Sequence, residues 1–359
     1  MSMTRRDSIQ LLAGGAAIAA APALAADDAI AKLYARSIVI DALSFGKEWD
    51  DVEYAAAASS GYTGIVESLE RRDLQTAIEQ LVMWRTRAAE NADKILIALT
   101  ARDFERAKRD KKLAVLMNFQ NATMFESDVD NVDALHALGM RCVQLTYNSR
   151  NLLGDGCTER TNAGLSDFGV AVVERMNKLG VLVDLSHCGR QTTLDGIEVS
   201  QKPVAITHTM IEKLRPGHPR AKTDDQLKAC ADKGGVVGIA ALGYFIGPDP
   251  GGATTIETYA DHIEHAVNLA GVEHVGLSTD FPVRGLASWA TKEEWYEPRL
   301  KSFKPSYDVK WPPYIPDLDG PDRFLKLARV LSGRGWKSAQ LEALLGKNWL
   351  RLFRDVFGG

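Results

Sequence analysis

Short runs of aliphatic and β-branched residues recur along the chain, at 38–42, 62–66, 95–99, 114–118, 142–146, 181–186, 204–207, 236–240 and 275–278. Each is too short for a helix and too evenly apolar for a half-exposed strand, so it reads as a strand covered on both faces. Between most of them lie longer stretches with apolar positions at helical spacing, among them 69–88, 168–179, 223–233 and 256–270. Alternation of this kind predicts right-handed βαβ units around a parallel sheet. The fold class expected is α/β, a (β/α)8 TIM barrel. The runs exceed a closed barrel by one, and 95–99 is the run expected outside it, because 114–118 is the more uniformly apolar of the two.

The stretch 281–322 differs in kind, being rich in proline and in tryptophan and tyrosine among charged residues. An irregular insert of this length after the last strand is expected to act as a lid or wall rather than a plain connection. Helices at 323–331 and 338–357 are expected to close the chain.

Two of the predicted strands end on histidine: Gly180-Val-Leu-Val-Asp-Leu-Ser-His187 and Pro203-Val-Ala-Ile-Thr-His208. If these strands are parallel neighbours, both imidazoles lie at carboxyl ends, where barrels of this class gather their chemistry. A pair of neutral imidazoles is half of a tetrahedral metal site. His136, His262 and His265 fall in helical stretches, and His262 and His265, at i, i+3 on one face, are expected on a solvated face. His218, just before Arg220, is placed to reach the rim, and His274 begins the last strand and belongs at the opposite end.

Apolar residues make up 45% of the chain and charged ones 25%, enough for a large core, and the net charge of -4 carries no basic stripe that would suit nucleic acid. Thr4-Arg5-Arg6-Asp7-Ser8-Ile9, the small apolar run from Leu11 to Ala21 and the Ala23-Leu24-Ala25 box read as a twin-arginine signal peptide over residues 1–25. This predicts export to the periplasm, no stable membrane insertion, and a barrel domain over 26–359. Cys142, Cys157, Cys188 and Cys230 show no Cys-x-x-Cys spacing; an oxidising compartment allows disulfides among them, with no pairing fixed by sequence.

Several motifs in order, Leu182-Val-Asp-Leu-Ser-His187, Pro203-Val-x-x-x-His208, Arg220 with Asp224-Asp225 behind it, Val275-Gly-Leu-Ser-Thr-Asp280-Phe281 and Gly346-Lys-Asn-Trp-Leu-Arg-Leu-Phe353, resemble the membrane (renal) dipeptidase family of metallopeptidases. The resemblance implies a (β/α)8 barrel with two bridged zinc ions that hydrolyse dipeptides, and by analogy a homodimer. It implies that His187 and His208 bind one metal, that Arg220 contacts a substrate carboxylate and that Asp280 is the acid/base carboxylate.

The chain departs from the family pattern at one end of that site. The first-strand Asp-x-His-x-Asp is here Asp41-Ala42-Leu43-Ser44-Phe45, the bridging glutamate falls at Gln120, and a histidine that assists the oxyanion falls at Tyr147. The expectation is therefore a dipeptidase-like hydrolase of a small amide, with one zinc or other divalent ion on His187 and His208, or none. A third metal ligand is sought at Asp280, at Gln120 or in the loop carrying Asp155, Cys157 and Glu159. Asp280 and Tyr147 are the expected catalytic residues, with Arg220 and Gln120 binding substrate. The alternative expectation is a binding protein or metal-independent enzyme on the same barrel, because Leu43 and Phe45 fill the vacated metal position.

Overall fold

The computed structural model describes residues 28–46, 48–247 and 254–359; the expected signal peptide lies outside the described residues. Among the described residues nine parallel strands form one sheet: β1 (Ile40–Ser44), β2 (Gly64–Leu69), β3 (Ile95–Ile97), β4 (Leu113–Phe119), β5 (Cys142–Gln144), β6 (Leu182–Asp184), β7 (Ala205–Thr209), β8 (Val236–Ile239) and β9 (Val275–Leu277). Their order is β1-β2-β4-β5-β6-β7-β8-β9, with β3 paired only to β4. The run at 95–99 thus stands outside the barrel, as its weaker apolar pattern predicts. The seam between last and first strands is closed just beyond β9, where Asp280 N–H donates to the Leu43 carbonyl at 3.0 Å and Thr279 N–H to Asp41 Oδ1 at 2.9 Å.

Inside the barrel the strands are apolar at their amino ends and polar at their carboxyl ends. Val66, Leu116, Cys142 and Leu182 pack in one cluster with Trp349, Leu352 and Phe353 of the last helix, Asn348–Phe357. Trp349 fits only because Gly238 and Gly276 lack side chains: a Cβ would meet its ring at 3.1 and 2.2 Å. One pleat further along each strand the inward positions become Ser68, Asn118, Gln144 and Asp184. The helix plugs one mouth, and the polar layer underlies the other.

Local signals place the histidine run. Ser166 caps the helix Asp167–Leu179 through Gly169 N–H, and Gly180, at φ 73°, takes the left-handed turn that feeds the chain into β6. The insert at 281–322 contains the helix Lys292–Ser302 and two short 3-10 turns, Pro305–Tyr307 and Pro316–Leu318. Among the described residues no helix is long and apolar enough to cross a membrane. All four cysteines are free thiols, three of them buried.

Candidate active site

His187 and His208 come together at the open mouth as the two-strand pattern predicts. Strands β6 and β7 are parallel neighbours in register at Asp184 and Ala205, and the two Nε2 atoms lie 2.9 Å apart. Both side chains are buried, at 2% and 0% exposure. Asn148 Oδ1 accepts from His187 Nδ1 at 2.7 Å, which puts the proton on Nδ1 and leaves His187 Nε2 as acceptor. The Thr207 hydroxyl donates to Asp184 Oδ2 at 2.7 Å and lies 2.9 Å from His208 Nδ1, and burial pushes the Asp184 carboxyl up. A run of polar contacts thus links Asp184, Thr207, His208, His187 and Asn148. Burial and the neighbouring Arg220 cation hold both imidazoles well below their ordinary range, hence neutral.

The open space lies above this pair. A pocket of about 330 Å³ is lined by Ser68, Arg71, Gln120, Tyr147, Asp280 and Arg299, among others. Tyr147 separates it from the histidines, its ring stacked on that of His187 with centroids 4.1 Å apart. A larger cleft, about 600 Å³, opens between Trp49 and Asn91, but it is lined by neither imidazole and not by Asp280.

Asp280 follows the end of β9 in a left-handed conformation, φ 65°, a strained placement that functional side chains often occupy. Its carboxyl is pushed up to about 7, chiefly by burial, against the lowering effect of Arg220 and Arg299. Burial also raises the Tyr147 phenol, which stays protonated as a donor. Gln120 is buried and its amide donates to Ser68 Oγ at 2.7 Å.

Arg220 stands apart from the pocket. It is 0% exposed, and its two terminal nitrogens donate to the carbonyls of Ser186 and of His208, the latter at 2.8 Å. Its guanidinium therefore ties the two strand ends together.

His218 lies one layer behind the rim, bonded to the Tyr307 carbonyl at 3.0 Å. His262 is not on a solvated face as expected: it is 1% exposed and bridges Ile211 N–H and the Ile246 carbonyl. A helix packed against a barrel buries a full stripe, and one polar residue in that stripe is kept by bonding strand-end backbone. His265 pairs with Asp224 at 3.0 Å, and His274 bonds the Gly235 carbonyl at the closed end.

Residues 40–291 match the model of a family described as membrane dipeptidase, peptidase family M19. The chain belongs to the membrane dipeptidase family. An uncharacterised protein of Klebsiella pneumoniae encoded in the pqqA 5′ region is 28% identical over 287 residues, 78% of this chain and 95% of its own length. Dipeptidase tcpJ of Claviceps purpurea is 27% identical over 267 residues, 74% of this chain and 56% of that enzyme, so this chain spans little more than half of it. The solved amidohydrolase from Pseudomonas aeruginosa shares 30% identity at a TM-score of 0.82, over 92% of this chain and 99% of that one. A metallo peptidase from Rhodobacter sphaeroides, solved with a phosphinate mimic of L-Ala-D-Ala, has the same fold at 18% identity and a TM-score of 0.72, over 89% of this chain and 99% of that one.

The residues present do not fit the metal centre that membership in this family implies. Among the described residues no three His, Cys, Asp or Glu side chains gather as a metal site requires, whereas a catalytic zinc takes three protein ligands and an open position. The loop expected to offer a third ligand does not. Asp155 is held by Arg150 at 2.6 Å, by Thr161 and by Ala163 N–H. Glu159 accepts from Arg150 and Arg160 N–H, and the Cys157 thiol, pushed up to about 11 by burial, contacts Asn148. Gln120 gives its amide nitrogen to Ser68 and so offers a metal only one neutral oxygen, and the two imidazoles spend their facing nitrogens on each other.

Sequence reading misses Arg71, Arg299, Asn148 and the Asp184–Thr207 link. The last had a signal: Asp184 and Ser186 are polar at period two in a run otherwise apolar, which marks one inward face. Arg299 lies on an insert helix with no periodic pattern to point to it.

Proposed function

We propose that this chain hydrolyses a small amide or dipeptide-like substrate in the rim pocket, with Asp280 as the acid/base group. The observation that carries the reading is the placement of a half-buried carboxyl, raised to about 7, on the wall of a pocket shared with Tyr147 and Gln120. A base of that strength is matched to neutral pH. Water adds to the amide carbon as Asp280 takes its proton. The Tyr147 hydroxyl donates to the developing oxyanion, and collapse of the adduct returns the proton from Asp280 to the leaving amine nitrogen. No step is routed through a divalent ion, since the donor set falls short of one.

Turnover of a panel of dipeptides and N-acyl amino acids, measured after dialysis against a chelator and again with zinc or manganese added, tests this. Turnover that survives the chelator and is lost in Asp280→Asn is expected. No turnover under any condition overturns the reading, and turnover that appears only with added metal overturns its metal-independent form.

A second reading, a binding barrel without hydrolysis, is favoured by one observation. Leu43 is fully buried and Phe45 packs edge-on against Trp289 at 5.4 Å, where the family pattern carries metal ligands. Tight ligand binding without turnover is its signature. The Arg5-Arg6 leader supports an exported, periplasmic protein; fractionation of expressing cells, with Arg5-Arg6→Lys-Lys as control, tests it.

A further inference from the structure

Two guanidiniums face the rim pocket without an acidic partner. Arg71 lies over the Tyr147 ring at 4.4 Å. Arg299 lies over the Trp295 ring at 4.1 Å and gives one N–H to the Trp295 carbonyl. Neither forms an ion pair among the described residues. A guanidinium held over an aromatic face still has N–H groups to offer, and two of them match a carboxylate in two-point geometry.

The acidic groups of the same wall do not cancel this charge. Glu70 is exposed and already paired with Arg72 at 2.8 Å. Asp280, raised to about 7 by burial, carries only part of a charge at neutral pH. Much of the remaining wall is aromatic, with Phe45, Tyr244, Trp289 and Phe303 among its members. A zwitterionic dipeptide entering here would bring an ammonium into a half-buried space with two like charges and no carboxylate of fixed charge to receive it, which is costly.

We infer that the pocket selects a carboxylate whose α-amine is uncharged, an N-acylated amino acid with an aromatic or apolar side chain, and that Arg71 and Arg299 set this preference. The inference rests on the reading of this pocket as the substrate site and narrows its substrate class. It also assigns the carboxylate contact to these two residues rather than to Arg220, whose terminal nitrogens are engaged with backbone.

Trp289 and Trp295 line the pocket, so binding is read from intrinsic fluorescence. The probes are N-acetylphenylalanine, N-acetylphenylalaninamide and free phenylalanine, each as both enantiomers. The acylated carboxylate of at least one enantiomer is expected to bind about tenfold or more tighter than its amide and than the zwitterion, the size of one charge-assisted pair. In the Arg71→Met, Arg299→Met double variant that preference collapses while amide binding stays close to wild type. Equal binding of the three probes, tightest binding of the zwitterion, or a preference that survives the double substitution overturns the inference. The probe comparison on wild-type protein stands even where the variant fails to fold. Carboxylate-selective binding without turnover of N-acyl amino acids defeats the hydrolase reading and leaves this inference intact; turnover indifferent to the carboxylate does the reverse.

Discussion

The Tyr147 ring lies almost parallel to that of His187, inclined by 21° at 4.1 Å between centroids, and forms a floor between the pocket and the histidine pair. Its hydroxyl and its ring thus have separable tasks. Tyr147→Phe keeps the stack and removes the donor, and is expected to lower kcat about a hundredfold with KM little changed, the size of one oxyanion contact. Tyr147→Ala opens the floor, and His187 is expected to react with an imidazole-acylating reagent in this variant but not in the wild type. An unchanged kcat in the phenylalanine variant would remove Tyr147 from the reaction.

Asp280 makes the pH dependence specific. A general base works only when deprotonated, and burial sets this carboxyl at about 7. The rate constant kcat/KM is therefore expected to rise with pH and level off above about 7, the reverse of what an essential acid would give. Asp280→Asn should flatten this limb and reduce turnover by a factor on the order of a thousand. A profile flat from pH 5 to 8 in the wild type would set another group in the role.

A different buried carboxyl links pH to stability. Asp41 is 0% exposed, and burial raises it to about 7 despite hydrogen bonds from Thr279 and from Leu43 N–H. Its folded value lies above the unfolded one, so the native state holds a proton that the unfolded chain has released. That stabilisation is complete below the unfolded value, near 4, and is lost as pH rises through about 7. In Asp41→Asn the amide oxygen still accepts from Leu43 and Thr279 N–H, while the amide nitrogen donates to Thr279 Oγ1, freeing that hydroxyl for the Leu43 or Phe281 carbonyl. Thermal melts of the two proteins at pH 5 and pH 8 should therefore converge or cross in favour of the variant at the higher pH. A difference constant with pH would show that Asp41 is ionised throughout.

Much of this architecture was legible because its signals are local. Apolar runs bounded by helical periods mark the strands, and the unevenness of 95–99 sets β3 apart. The pairing of His187 and His208 follows from both ending adjacent strands. What sequence concealed were relationships made across the barrel. Arg71 follows β2 and Arg299 sits on the insert helix, yet both border one pocket; nothing in the spacing of either announces it. The loop at 154–159 carries ligand-type residues, but Asp155 is committed to Arg150, a competition that only coordinates reveal. Helical spacing places His262 and His265 on one face without saying which face is covered, so the burial of His262 is invisible to it.

Arg220 offers the sharpest contrast between the role implied by family resemblance and the contacts made. Its terminal nitrogens join the Ser186 and His208 carbonyls, and its guanidinium also rests over the Phe245 ring at 5.5 Å. Removing it in Arg220→Met leaves two buried carbonyls without donors, at a cost of roughly 3 kcal/mol. Because those carbonyls belong to the strand ends that carry the histidines, the variant should also loosen the contact between His187 and His208. Arg220→Lys keeps the charge but cannot span both carbonyls, and should fall between wild type and methionine in the denaturant midpoint. A positioning role predicts loss of stability together with a fall in kcat. If the midpoint holds while KM rises for carboxylate substrates alone, Arg220 contacts substrate and the clamp assigned to it is wrong.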